Sequence, residues 1–349
     1  MAIEEAPPFW WKPAGPLAWL FSPLSFLWGR GSAMRMRRRP TGSVGAPVLC
    51  IGNFIAGGAG KTPTAIEFAR AARARGLNPG FLSRGHGGRL VGQVVVDPHH
   101  HRAADVGDEP LLLARETMTV VSADRPRGAQ LLVANGCDFV IMDDGFQNPS
   151  LAKDYSLVVV DAKRGIGNGW VIPSGPLRAP LGRQLMRASA VLVIGEAPGG
   201  DKVIRETARH GKPVFLARIE PVDREAWAGR RCLAYAGIAD PTKFFDSLGE
   251  VGAETVELRP FADHHVYSEE EAGDLLEKAR AGDLMLATTA KDMARLAGEE
   301  GAMAELAAAS KVLEIGLAFD DPRAATLIID ATLRNAKARL VREHSGHYD

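Results

Sequence analysis

Gly52-Asn53-Phe54-Ile55-Ala56-Gly57-Gly58-Ala59-Gly60-Lys61-Thr62 decides how this chain is read. An apolar run, Val48-Leu49-Cys50-Ile51, precedes it, and a segment of helical composition, Thr64-Ala65-Ile66-Glu67-Phe68-Ala69-Arg70, follows. Strand, glycine-rich turn, Lys-Thr and helix is the layout of a phosphate-binding P-loop. Glycines let backbone N–H groups close round phosphate oxygens, and a helix N-terminus favours negative charge. Gly57, Gly58, Ala59 and Gly60 would form the cradle; Lys61 would neutralise β- and γ-phosphate charge, and Thr62 would place a hydroxyl on Mg²⁺. Ile55 stands where the usual pattern has its first glycine. The competing reading is a glycine-rich turn with an incidental lysine; the flanking strand and helix weigh against it.

Beyond Pro47, apolar runs alternate with helical segments, the signature of an α/β sheet. Strands are expected at 48–51, 80–83, 93–96, 119–121, 139–142, 157–160 and 191–194, with helices at 64–75, 110–116 and 127–134. Several runs are continuously apolar, as parallel strands covered on both faces must be. A second α/β block opens near Pro213, with strands at 214–219, 232–236, 254–257, 284–287 and 312–317 and helices at 241–248, 268–278 and 292–297. A terminal helix is expected over 321–341.

The 349 residues can bury a large core, and 42 basic residues balance 42 acidic ones, so no global field points to nucleic acid. Cys50, Cys137 and Cys232 lie far apart in apolar runs and read as buried, reduced thiols. The N-terminus is the compositional outlier. Between Phe9 and Trp28 stand Trp10, Trp11, Trp19 and Trp28, four of the six tryptophans, and Arg30, Arg35, Arg37, Arg38 and Arg39 follow. Lys12, Pro13, Pro16 and Pro23 interrupt it as a transmembrane span, and the charge order is wrong for a secretory signal. Aromatic residues beside arginines suit a membrane-interfacial helix lying among headgroups. The alternative is an arm packed on the protein's own core or on a partner chain.

Five further segments carry chemistry. Phe139 to Met142 is an apolar strand ending in Asp143-Asp144, where a parallel strand delivers carboxylates to a ligand crevice and to Mg²⁺. In Val106-Gly107-Asp108-Glu109-Pro110, either acid can cap a helix, and the functional alternative is a general base. Asp263-His264-His265 joins imidazole to carboxylate at a strand-to-helix junction, a pairing that tunes acid/base groups. Ser83-Arg84-Gly85-His86-Gly87-Gly88 and Pro173-Ser174-Gly175-Pro176-Leu177-Arg178-Ala179-Pro180 read, each alone, as structural loops carrying one guanidinium. His99-His100-His101 reads as a solvated loop.

Together, GGAGKTP, SRGHGG, VGDEP, DDGFQN, PSGPLRAP and FADHHVY, in this order, resemble the tetraacyldisaccharide 4′-kinase family, from the aromatic arm to Lys291-Asp292. The resemblance implies a monotopic protein at the cytoplasmic face of the inner membrane. It would use ATP and Mg²⁺ to phosphorylate the 4′ hydroxyl of an acylated glucosamine disaccharide 1-phosphate. It implies a RecA-like P-loop domain with a mostly parallel sheet, and a smaller α/β domain. The organisation then expected is an interfacial arm over 1–40, an ATP-binding kinase domain over 41–212, the smaller domain over 213–320, and a helix over 321–349 packed back on the first domain. It assigns nucleotide contact to Lys61, Thr62 and Gln147, metal contact to Thr62, Asp143 and Asp144, and catalysis to Asp108 with His264 rather than His265. Asn148 stands where the family commonly has His, and Ala179 where Glu is frequent. An amide cannot titrate, and any contact from that carboxylate is missing here. Two rival readings are a membrane-bound P-loop NTPase switch, which leaves the GDEP and DHH motifs unexplained, and a scaffold using nucleotide structurally.

Overall fold

A computed structural model describes residues 6–345; the first five residues of the expected arm and the last four of the expected tail lie outside it. The main sheet has nine strands. In spatial order they are Ile315–Phe319, Val214–Pro221, Ala190–Ile194, Tyr155–Asp161, Val48–Asn53, Phe139–Asp143, Pro79–Ser83, Thr119–Ser122 and Gln93–Val95. The inner seven are parallel, and the two edge strands pair antiparallel with their neighbours.

The continuously apolar strands are explained by their two faces. Val48, Cys50, Val140, Met142, Val158 and Val160 point into one core, shared with Ala129, Leu132 and Leu185. Leu49, Ile51, Phe139, Ile141, Leu157 and Val159 point into the other, against Ala65, Phe68, Ala69 and Ala72 of the helix Lys61–Ala74. Side chains alternate faces along a strand, so two covered faces require every position to be apolar.

A smaller, fully parallel sheet has the order Glu254–Pro260, Arg231–Ala236, Met285–Thr288 and Ser310–Val312. Two strands expected in the second block belong elsewhere. Val214–Pro221 pairs with Ala190–Ile194 in the main sheet, so the smaller sheet begins only at Arg231. The run expected over 312–317 is two strands: Ser310–Val312 ends the small sheet, and Ile315–Phe319 crosses back to the main one. Local pattern sees apolar runs but not which sheet edge completes them.

The terminal helix Ala324–Ser345 lays Ala325, Ile328 and Ile329 on the main core. Arg339 fastens it by donating to both carboxylate oxygens of Asp154 at 2.9 and 3.1 Å. At the other end, the helices Pro16–Leu20 and Ser22–Arg37 dock through small or isolated residues. The Ser25 hydroxyl donates to the Val171 carbonyl at 2.8 Å, and the buried Trp10 indole donates to the Pro173 carbonyl at 2.9 Å. Their large side chains face outward: Trp19, Leu20, Leu24, Phe26, Leu27 and Trp28 are each more than half exposed. Among the described residues, no helix is long and apolar enough to cross a membrane. All three cysteines are buried and unbridged.

Candidate active site

The phosphate loop leaves the C-terminal end of the central strand Val48–Asn53 and enters the helix Lys61–Ala74. Gly60 is the helix N-cap, at φ 87°. A side chain there would be strained and would meet Ile194 Cδ1 at 2.6 Å, so glycine is required. Gly57, at φ 100°, is held by Asn53 Nδ2, which donates to its carbonyl at 2.9 Å. Lys61 and Thr62 are buried at the loop's end, while Gly58 stands open. Ile55 earns its place by packing: it is buried and bridges Leu177, while the Ala56 amide donates to the Pro176 carbonyl. The PSGPLRAP loop therefore braces the phosphate loop from the side.

Asp143 and Asp144 end the adjacent strand, Asp143 being in register with Ile51. Their situations differ. Asp143 is 1% exposed, and neither carboxylate oxygen has a hydrogen-bond partner. Burial, with the neighbouring Glu109 charge adding to it, pushes its carboxyl up to about 7. Asp144, in the left-handed region at φ 49°, accepts from Arg178 Nη1 at 2.7 Å and Nη2 at 3.1 Å. Burial opposes its ionisation, but Lys61 and Arg178 hold the carboxyl well below the usual range. Two unpartnered, buried hard oxygens fit a small divalent cation such as Mg²⁺. Asp143 supplies those oxygens; Asp144 is committed to Arg178.

Gln147 is engaged with the loop. Its Nε2 donates to the Asn53 carbonyl at 2.7 Å and to Gln184 Oε1 at 3.0 Å, and its Oε1 accepts from Arg178 at 3.4 Å. Its contacts support the phosphate loop from below. Asn148 Oδ1 accepts the Ser150 amide in a local turn. Ala179 is fully buried in the core.

Asp108 opens the helix Asp108–Glu116, whose N-cap is Gly107 and not either acid. Gly107, at φ 94°, lets the His86 carbonyl approach to 2.6 Å of where a Cβ would stand, so the SRGHGG loop packs directly on this turn. His264 reaches Asp108 from the loop after Glu254–Pro260, across the two sheets. Its Nδ1 lies 3.2 Å from Asp108 Oδ2. The Asp108 bond raises the imidazole's pKa, against the effect of burial. His265 instead sits 3.0 Å from Glu271 and stacks on Phe261. Glu109 accepts from Lys291 Nζ at 2.6 Å and is near enough to Lys61 for the charges to interact; Lys291 and then Lys61 help keep its carboxyl low. Glu109 therefore links Asp108, Lys61 and Asp143 in one group of interacting charges.

The pairing of Glu109 with Lys291, and the roles of Arg295 and Arg178, were not read from sequence. The available signal for Lys291 was position: it follows a parallel strand at the C-terminal edge of the smaller sheet, where such sheets place ligand groups.

A family model described as tetraacyldisaccharide-1-P 4′-kinase matches residues 17–334. The chain is 52% identical over 343 residues to a tetraacyldisaccharide 4′-kinase of Agrobacterium fabrum, covering 98% of this chain and 99% of that one. It is 54% identical over 341 residues to the protein of the same name from Rhizobium meliloti, with coverage of 98% and 99%. In fold it is similar to LpxK from Aquifex aeolicus, crystallised in complex with ATP: TM-score 0.69 and 22% identity, covering 90% of this chain and 99% of that one. The chain belongs to the tetraacyldisaccharide-1-P 4′-kinase family.

Proposed function

We infer that the γ-phosphoryl group of ATP passes in line, within the cleft between the two sheets, to the 4′ hydroxyl of a tetraacylated glucosamine disaccharide 1-phosphate. The chain is an ATP-dependent kinase of lipid A biosynthesis. The observation that carries the site assignment is the Asp108–His264 contact, made between the sheets beside the phosphate loop. Loop amides and Lys61 hold the phosphates and stabilise their charge. Asp108 Oδ2 is taken by cations, whereas Oδ1 accepts only the Glu109 amide at 2.9 Å. Oδ1 is therefore the atom assigned to receive the sugar proton, as the new P–O bond forms and the bond to ADP breaks. His264, whose pKa the same hydrogen bond raises, keeps the carboxylate oriented.

Asp143 and Thr62 would hold Mg²⁺, which when bound neutralises charge on the transferring phosphates. The exposed aromatic and leucine face of the N-terminal helices, with its following arginines, would lie on the cytoplasmic face of the inner membrane. There it keeps acyl chains in the bilayer while the sugar enters the cleft. Transfer from ATP made chiral at the γ-phosphorus tests the mechanism. Direct transfer inverts that centre; retention would mean a phosphorylated protein intermediate and overturn the assignment.

A further inference from the structure

Asp108 is held by more than its histidine. Arg295, in the helix Ala290–Leu296, donates to Asp108 Oδ2 through Nε at 3.1 Å and Nη2 at 2.6 Å. Its remaining nitrogen, Nη1, donates to Asp292 Oδ1 at 2.8 Å and to the Gly237 carbonyl at 2.6 Å. Asp292 is fully buried and accepts in turn from the Tyr267 hydroxyl at 2.9 Å, the Thr289 hydroxyl at 2.6 Å and the Gly237 amide at 3.0 Å. The Arg295 and Asp108 side chains are 7% and 6% exposed. A guanidinium so enclosed, with every nitrogen engaged and four of its five N–H donors used, is a fixed fork.

We propose that Arg295 is the positioning residue of the phosphoryl-transfer site, clamping Oδ2 of Asp108 from the opposite sheet so that Oδ1 alone is left to take the proton. This rests on the reading of Asp108 and His264 as the acid/base pair. The clamp has a geometric consequence: Asp108 opens a helix that leads into a main-sheet strand and Arg295 lies in the helix after a strand of the smaller sheet, so the base is set only when the two are together. It also has an electrostatic one. The groups facing Asp108 are His264, with Asp263 3.9 Å behind it, Lys291 and Arg295 from their helix, and Glu109 from its own. Burial opposes ionisation of Asp108, and the His264 hydrogen bond with the Lys291 and Arg295 charges outweighs it, holding the carboxyl low. Removing one cation raises it. A base works only while deprotonated, so the acid limb of kcat then moves to higher pH.

The test uses the full chain with Mg-ATP and the lipid acceptor in detergent micelles. Arg295→Met should lower kcat roughly 10²-fold with the KM for ATP unchanged, and move the acid limb up by about one pH unit. Arg295→Lys should return the limb toward wild type but only part of kcat, because an ammonium is a point charge and not a fork. In Arg295→Met, a kcat equal to wild type, or one reduced equally at every pH, would overturn the proposal. If Arg295→Met does not fold, as judged by its melting curve, Arg295→Lys decides alone: reduced kcat on an unmoved limb supports the clamp, and wild-type kcat contradicts it. Asp108→Asn separates the two claims. Wild-type turnover in that variant removes the acid/base reading itself. An inactive Asp108→Asn beside an unshifted Arg295→Met profile removes the clamp alone.

Discussion

Asp143 and Asp144 are adjacent carboxylates in opposite electrostatic circumstances, and this has a measurable consequence for the metal-free protein. With its carboxyl raised to about 7, native Asp143 binds more proton than the unfolded chain does between roughly pH 4 and 7. Its contribution to stability therefore falls as pH rises through that window. Asp143→Asn removes the buried charge, and with it the part of the penalty that grows with pH. At about pH 8 without metal, this variant should melt a few degrees higher than wild type while losing turnover. A lower melting temperature would show that the carboxylate is satisfied after all. Asp108→Ala should lower kcat by about 10²–10⁴-fold with ATP affinity kept, measured by steady-state rates beside nucleotide titration; unchanged rates would remove its role as base. The Asp-Asp pair was legible in the sequence, and so was the resemblance that put Asp108 with His264. The division of labour was not, because it depends on Arg178, 34 residues further along the chain from Asp144. Nor could sequence physics alone pair residues separated by 156 positions.

The phosphate loop and the N-terminal arm are the elements whose geometry makes the sharpest demands. Gly60→Ala should abolish ATP binding in a fluorescence titration, since the added methyl combines a strained φ with a 2.6 Å contact to Ile194; wild-type affinity would mean the loop shifts without cost. In the arm, burial is inverted from that of an ordinary surface helix, with Ser25 and Gly29 inward and leucines and tryptophans outward. Removing the whole arm would take Trp10 and Ser25 from their sites, so the cleaner change is Leu20, Leu24 and Leu27 together to Ser. That variant should melt like wild type yet float poorly with anionic vesicles and show a raised apparent KM for lipid; flotation equal to wild type would detach the arm from the membrane. The arm's composition was readable from its tryptophans and arginines. Which side chains face out was not, because the helical pattern yields to the PSGPLRAP loop it packs on.

For the whole molecule, the two sheets meet through an apolar cluster in which Ala294 packs with Val106 and Leu111, and through charges: Asp108 with His264 and Arg295, Glu109 with Lys291, and Asp161 with Lys243. The parallel core was legible from runs of apolar residues that only doubly covered strands need. The excursion of the chain back into the main sheet through Ile315–Phe319 was not, since an edge strand is specified by its partner Val214–Pro221. In the proposed mechanism these cross-sheet pairs would give the γ-phosphoryl group a destination, which a phosphate loop alone does not. The most direct measurement is the mass of the lipid after incubation of the full chain with Mg-ATP and the tetraacylated disaccharide 1-phosphate in detergent. The predicted result is a disaccharide carrying one added phosphoryl group at the 4′ position, formed in step with ADP and absent with Asp108→Ala. ADP formation with the lipid unchanged would contradict it, and would make the protein a nucleotide-hydrolysing switch.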